Sequence, residues 1–139
     1  YHFANLSKME SLLLSENQIS KIERDSFKSL HLLKKLDLSD NSLHKIYSNT
    51  FFNLHNLKYL DLSKNRLKKI DSNILCNQKL LIQIKLESNL LTNICSCVFK
   101  NLTNLNYLDL SDNFLSANSF DIFNLNKLEK LRLAKNRLE

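Results

Sequence analysis

Apolar residues recur along the chain in one frame, Leu-x-x-Leu-x-Leu-x-x-Asn-x-Leu, with occasional isoleucine or methionine in place of leucine. The asparagines of successive frames lie 24, 24, 24, 24 and 23 residues apart. A fixed period of this length predicts a solenoid, because one such unit cannot bury its apolar face without neighbours. The asparagines that mark the frames are Asn17, Asn41, Asn65, Asn89, Asn113 and Asn136.

Each frame predicts a short strand followed by a turn. In the Leu-x-Leu stretch the leucines point inward and the residue between them points outward, so strands of successive repeats are expected to form a parallel sheet. The asparagine follows where the chain turns inward, and its amide is expected to bond backbone groups that the turn leaves unpaired. Between frames, a return segment carries phenylalanines that we expect to stack as core residues: Phe3, Phe27, Phe51, Phe99 and Phe123.

The repeats divide the whole chain, and we interpret residues 1–139 as a single array. A partial repeat occupies residues 1–8, further repeats start at 9, 33, 57, 81 and 105, and a truncated repeat starts at 128. The chain contains neither glycine nor proline, so no linker or domain boundary is indicated. No stretch of 18 apolar residues is present, and membrane contact is not expected within this segment.

This pattern resembles the typical class of extracellular leucine-rich repeats found in Toll-like receptors, chaoptin-like adhesion proteins and Slit-like secreted proteins. The resemblance implies an α/β fold, a right-handed curved solenoid with a concave parallel β-sheet and short helical or irregular convex segments. Members of that class have cysteine clusters that flank the array, and this chain has none. We therefore expect an internal fragment, without caps, of a longer ectodomain.

The outward residues of the predicted sheet supply candidate ligand-binding positions. Between the two inward leucines the sheet would display charges, and one residue before this leucine pair it would display two tyrosines. Leu90 and Phe114 each follow a repeat asparagine and are expected to be neighbours. Amphipathic anchors with a charged rim are typical of protein-binding hot spots. The candidates are Tyr59, Tyr107, Leu90 and Phe114 as anchors, with Asp37, Asp61, Lys85 and Asp109 around them.

Positive charge is concentrated in one part of the chain and predicts a second, weaker kind of site. The net charge is +6, and Lys21, Lys45 and Lys69 occupy one repeat position in three consecutive repeats. Such a basic stripe could hold a polyanion, either a sulfated glycan or nucleic acid, with binding that weakens as salt rises. Solvated surface charge is the alternative, because acidic residues lie nearby.

The cysteines and the sequons are relevant to whether the protein is secreted or intracellular. A bridge between Cys95 and Cys97 would be strained, because one residue separates them, whereas a bridge from Cys76 to either stays open. Buried or unreactive thiols are the expectation we favour. The tripeptides that begin at Asn5 and Asn101 are N-glycosylation sequons, and both asparagines are candidate acceptors if the chain is secreted.

No catalytic constellation, metal site or cofactor motif can be assembled from the sequence, so an enzyme is not expected. The predicted function is a non-catalytic protein-binding module, part of the ectodomain of a cell-surface receptor, which binds a macromolecular ligand or co-receptor on its concave face. The resemblance also allows a secreted or membrane-anchored adhesion or guidance protein. A third reading is an intracellular leucine-rich-repeat scaffold, which would fit three free cysteines.

Overall fold

The computed structural model describes residues 3–119 and 125–139. Six strands of three residues form one parallel sheet in chain order, from β1 to β6. Within the described ranges the helical content is a single 3-10 turn at Ser96–Val98. The strands are β1 Ser11–Leu13, β2 Lys35–Asp37, β3 Tyr59–Asp61, β4 Gln83–Lys85, β5 Tyr107–Asp109 and β6 Lys130–Arg132.

The register of the sheet follows the sequence frame position by position. The inward residue of each strand pairs with its equivalent in the next, so that Leu36 lies beside Leu60 and Leu60 beside Ile84. This register stacks the inward side chains into one continuous core, in which residues such as Leu36, Leu57 and Leu108 have no exposed surface. The predicted leucine-rich-repeat solenoid with its parallel sheet is confirmed.

The return segments close the core on the side opposite the sheet. The rings of Phe3 and Phe27 stack with centroids 6.0 Å apart, and those of Phe27 and Phe51 stack at 6.3 Å. Phe99 is buried in its own repeat, while the intervening repeat carries Leu75 instead of a phenylalanine. The predicted stack therefore includes three consecutive rings, and Phe123 lies outside the described residues.

Each interior asparagine joins two repeats through its amide. The Nδ2 group of Asn65 donates to the carbonyl oxygens of Leu62 and Ser63 in its own turn, and to Leu38 one repeat earlier at 2.9 Å. Its Oδ1 atom accepts the backbone N–H of Leu43, also one repeat earlier, at 2.9 Å. These bonds are of the kind that the sequence predicts for the turn, and they satisfy buried backbone groups that would otherwise cost free energy.

The turn also contains a left-handed residue at a position where glycine would be the usual choice. The residue before every repeat asparagine has a positive φ between 50° and 56°, although none is glycine. This left-handed conformation costs an ordinary residue roughly 1–2 kcal/mol. The turn is imposed by the bonds of the following asparagine, and the residues concerned are Glu16, Asp40, Lys64, Ser88, Asp112 and Lys135.

The cysteines differ from the sequence prediction. The sequence favours free thiols, whereas Cys95 and Cys97 form a disulfide, and only Cys76 is a free, partly buried thiol. The 3-10 turn brings the Cα atoms of Cys95 and Cys97 to 5.2 Å, which lies within the usual range for a disulfide. One intervening residue is therefore enough separation in this turn.

Candidate functional site

The outward side chains of β2, β3 and β4 surround a shallow depression on the concave face. Tyr59 stands in it with 41% of its surface exposed. Its strand neighbours are Lys35 and Gln83, so the ring has polar side chains on both sides. The depression has a volume of about 270 Å³ and is lined by Lys35, Leu36, Asp37, Tyr59, Leu60, Asp61, Gln83 and Lys85.

Two aspartates of this depression are held by the serine two residues after each of them, in the segment that leaves the strand. Asp37 Oδ1 accepts the backbone N–H of Ser39 at 3.0 Å and the Ser39 hydroxyl at 2.6 Å. Asp61 Oδ1 makes the same pair of bonds with Ser63. The Oδ2 atom of Asp61 lies 3.2 Å from Lys85 Nζ on the next strand. The carboxylates are thus fixed in position at the edge of the depression.

β4 departs from this motif and carries charges of its own. Lys85 replaces the aspartate, and Glu87 replaces the serine. Burial lowers the pKa of Lys85, but the hydrogen bond and the charge of Asp61, together with Glu87 and Tyr107, outweigh burial, so the net pKa is raised. Burial and the charges of Asp109 and Asp61 raise the pKa of Glu87, although its backbone hydrogen bond and Lys85 lower it in part. Its Oε2 atom is buried without a hydrogen-bond partner.

The structure differs from the prediction at Asp109. Only 3% of this residue is exposed, because its own neighbours cover the carboxylate. The Tyr107 hydroxyl donates to Asp109 Oδ2 at 3.1 Å, Ser111 donates to Oδ1, and Arg132 lies 3.7 Å away. Burial, and then the hydrogen bond to Asp109, raise the pKa of Tyr107. Asp109 therefore positions Tyr107 and does not present a carboxylate to a ligand.

Leu90 and Phe114 lie together, as the sequence predicts, but in a groove of their own beside the turns. The guanidinium of Arg137 stands 4.7 Å from the Phe114 ring centre. The groove has a volume of about 460 Å³, and its lining includes the repeat asparagines Asn65, Asn89, Asn113 and Asn136. Tyr59 lines the depression on the sheet and not this groove. The predicted anchors are thus divided between two places on the molecule.

The basic stripe is only partly available to a ligand. Lys21 Nζ lies 2.6 Å from Glu23 Oε1, and this contact raises the pKa of Lys21. Lys45 lies over the ring of Tyr47, with its Nζ atom 5.0 Å from the ring centre. Lys45 and Lys69 line one groove of about 520 Å³, together with His44, Ile46, Lys68, Ile70 and Asp71. Glu23 and Tyr47 therefore already interact with two of the three lysines of the stripe.

Both sequon asparagines are exposed, but their surroundings differ. The Nδ2 atom of Asn101 donates to the backbone oxygen of Cys76, one repeat earlier, at 3.0 Å. Asn77, at the same repeat position, makes the equivalent bond to Phe52 at 3.2 Å without being in a sequon. The Asn101 bond therefore has a structural explanation that is independent of glycosylation.

Sequence reasoning missed one further groove, at the edge where the chain enters strands β3 to β6. Its volume is about 660 Å³, and Leu80 is exposed at one side of it. The available signal was that Leu80 occupies a repeat position that carries asparagine in the repeats before and after it. The lining residues are Lys58, Leu80, Ile82, Asn104, Asn106, Asn126, Lys127, Leu128 and Glu129.

Within residues 3–119 and 125–139, no group of three or more His, Cys, Asp or Glu is placed to hold a metal ion. None of the helical segments in those ranges is long and apolar enough to cross a membrane. Among the grooves described above, the depression around Tyr59 combines an exposed aromatic side chain with carboxylates held by hydrogen bonds.

Similar structures are leucine-rich-repeat proteins. The leucine-rich repeat domain of APL1B is 28% identical with a TM-score of 0.90, over 99% of this chain and 41% of that one. The match to a chain of the LRIM1/APL1C complex has 27% identity and a TM-score of 0.91, and it covers 96% of this chain and 24% of that one. The match to a leucine-rich-repeat protein of Leptospira interrogans has 29% identity and a TM-score of 0.87, and it covers 98% of this chain and 34% of that one. The chain thus spans less than half the length of these proteins. No curated protein matches it by sequence.

Family membership follows from the repeats themselves. The BspA type leucine rich repeat region matches residues 1–129 in six copies. Domains of this kind are typically non-catalytic modules that bind other proteins, with extended concave surfaces as the binding face. The finer resemblance to the extracellular typical class stays a prediction. On the match over residues 1–129, the chain belongs to the BspA type leucine rich repeat family.

Proposed function

We propose that this chain binds a protein on its concave sheet face, with Tyr59 as the central anchor. The observation that carries the proposal is the depression around Tyr59, where an exposed aromatic ring shares the lining with the fixed carboxylates of Asp37 and Asp61. A tyrosine offers a large contact area and loses little rotamer freedom on binding, and charged residues around it favour one orientation of the partner.

Tyr107 and Lys85 extend this face along the sheet. Tyr107 lies two strands from Tyr59 in register, with Gln83 between them. Its hydroxyl is held by Asp109, so its ring is oriented before a partner arrives, which lowers the entropic cost of binding. Leu90 and Phe114 form a separate apolar contact beside the turns, which a large partner could cover together with the sheet.

We place this module in the ectodomain of a cell-surface receptor. Three features support that location: the disulfide between Cys95 and Cys97, the exposed sequons at Asn5 and Asn101, and the resemblance to extracellular repeats. LRIM1 and APL1C form a complex, and this partnership favours a protein as ligand. An adhesion or guidance protein would use the same face, and the intracellular scaffold would require the disulfide to be reduced.

Site-specific photo-crosslinking tests the binding face. A benzophenone amino acid is placed at Tyr59, or at Phe52 as a matched control, since Phe52 is an aromatic residue of the return segment with 51% exposure. Protein crosslinked at position 59, absent at position 52, and lost when Asp37 and Asp61 are changed to asparagine would support the proposal. Equal crosslinking at both positions would contradict it.

Expression through a secretory pathway tests the location. The product is analysed by mass spectrometry with and without glycosidase treatment. Glycan on Asn5 or Asn101 would support the receptor and adhesion readings, because the modified asparagine must have been accessible during secretion. A folded product without glycan would favour the intracellular scaffold.

A further inference from the structure

The disulfide between Cys95 and Cys97 lies at the surface, in a return segment away from the sheet. Cys95 is exposed and Cys97 is partly buried. The residues on either side, Ile94 and Val98, are buried in the core. The bridge therefore joins two residues of one short surface turn, and it holds no two repeats together.

The turn around the bridge has its own backbone bonds. The N–H of Val98 donates to the carbonyl of Cys95 at 2.9 Å, and the N–H of Lys100 donates to the carbonyl of Cys97 at 3.4 Å. The N–H of Ile94 donates to Ser119 in the following repeat at 2.8 Å. These bonds and the apolar anchors do not include the sulfur atoms, so opening the bridge leaves them in place.

One repeat earlier, an aspartate occupies the position of Cys95. There the N–H of Asn73 donates to Asp71 Oδ1 at 3.0 Å, and here the N–H of Cys97 donates to Cys95 Sγ at 3.3 Å. The turn thus forms in a repeat that has no cysteines at these two positions. A reduced Cys95 would keep its backbone donor and stay close to Cys97.

We propose that Cys95 and Cys97 form a reversible thiol–disulfide site, whose substrates are small thiols and their disulfides. A thiolate attacks the exposed Cys95 sulfur, a mixed disulfide forms, and Cys97 leaves with the electron pair and takes a proton from water. A second thiolate attacks the sulfur of the first thiol, which releases Cys95 as a thiolate. Two thiols are oxidised to one disulfide, and the protein bridge is reduced by two electrons.

The preserved turn makes the reverse reaction efficient, since both sulfurs stay on neighbouring positions of a fixed backbone. In the absence of reductant, an oxidised small disulfide such as oxidised glutathione restores the bridge by the same steps. The site can therefore carry a small thiol on Cys95 or close on itself, without a change in the repeat fold. This inference does not depend on the proposed binding function.

The test uses the chain with the third thiol removed by Cys76→Ser. The chain is treated with reduced glutathione without denaturant, its free thiols are alkylated, and the sites are located by mass spectrometry while circular dichroism follows the fold. Alkylation of both Cys95 and Cys97 with an unchanged spectrum, reversed by oxidised glutathione, is expected. A bridge that opens only in denaturant, or a spectrum lost on reduction, would overturn the proposal.

Two further variants separate the two sulfurs. With Cys97→Ser, oxidised glutathione is expected to add one glutathione to Cys95, because that residue is exposed. With Cys95→Ser, the addition to the partly buried Cys97 is expected to be slower. Addition to Cys97 at the faster rate would contradict the assigned point of attack.

Discussion

Asn65 and Asn17 occupy the same position of the repeat, yet they have different surroundings. Asn65 is 7% exposed and makes four hydrogen bonds, two of them to the preceding repeat. Asn17 is exposed and makes two, to Leu14 and Ser15 in its own turn. The same residue thus closes a local turn at one place and connects two repeats at another. Stacking, not the local sequence, gives the interior asparagine its larger role.

The largest expected difference between the two positions concerns stability. Asn65→Ala removes four bonds and leaves buried groups of Leu38 and Leu43 without this partner, so it should lower the free energy of unfolding by about 3 kcal/mol. Asn17→Ala removes two exposed bonds and should cost about 1 kcal/mol or less. Urea unfolding of both variants measures the difference. Equal losses would mean that bonds between repeats contribute little.

A smaller change in stability, caused by glycine at the left-handed residue, should be equal at the two turns. Lys64 and Glu16 precede Asn65 and Asn17 and both have a positive φ, of 50° and 56°. Glycine has no Cβ clash in this conformation, although it loses more entropy on folding, so Lys64→Gly and Glu16→Gly should each raise the free energy of unfolding by about 0.5 kcal/mol. Destabilisation at either site, measured in the same urea experiment, would show that the left-handed turn is not strained.

The smallest expected effect is a pH dependence of stability at Glu87, which follows β4 at the position that Ser63 holds after β3. The folded pKa of Glu87 is raised above its ordinary value of 4.5, so its ionised form destabilises the folded state. Stability should therefore fall as pH rises from the unfolded pKa through the raised folded pKa. Glu87→Gln should remove this fall, so the variant gains stability relative to the parent chain between acidic and neutral pH. A difference that does not change with pH would contradict the raised pKa.

The repeat period was sufficient to predict the fold, because every frame repeats the same inward positions and stacking leaves one register for them. The exposed ring of Tyr59 and the pairing of Leu90 with Phe114 follow from the same register. The covered carboxylate of Asp109 could not be read this way, because it depends on Tyr107 and on Arg132 in the following repeat. Such contacts are set by side-chain directions that a period does not specify.

Substitutions within a single repeat show the same limit. Gln78 takes a position that holds leucine in other repeats, yet it is fully buried, and its Nε2 atom donates to the Phe51 carbonyl at 2.7 Å. The disulfide between Cys95 and Cys97 also differs from the favoured expectation of free thiols, because a 3-10 turn brings the two Cα atoms to 5.2 Å. In both cases the local backbone decides what the side chain can do.

The central functional claim is that a protein partner binds around Tyr59 on the concave face. The most direct measurement is the dissociation constant of the crosslinked partner for the parent chain, for Tyr59→Ala and for Phe52→Ala, with unfolding measured in parallel. We predict that Tyr59→Ala weakens binding by about tenfold or more, as expected for an anchor worth at least about 1.4 kcal/mol, while Phe52→Ala changes it little. Unchanged binding by Tyr59→Ala, with a loss for Phe52→Ala, would contradict the claim and move the interface to the return segments.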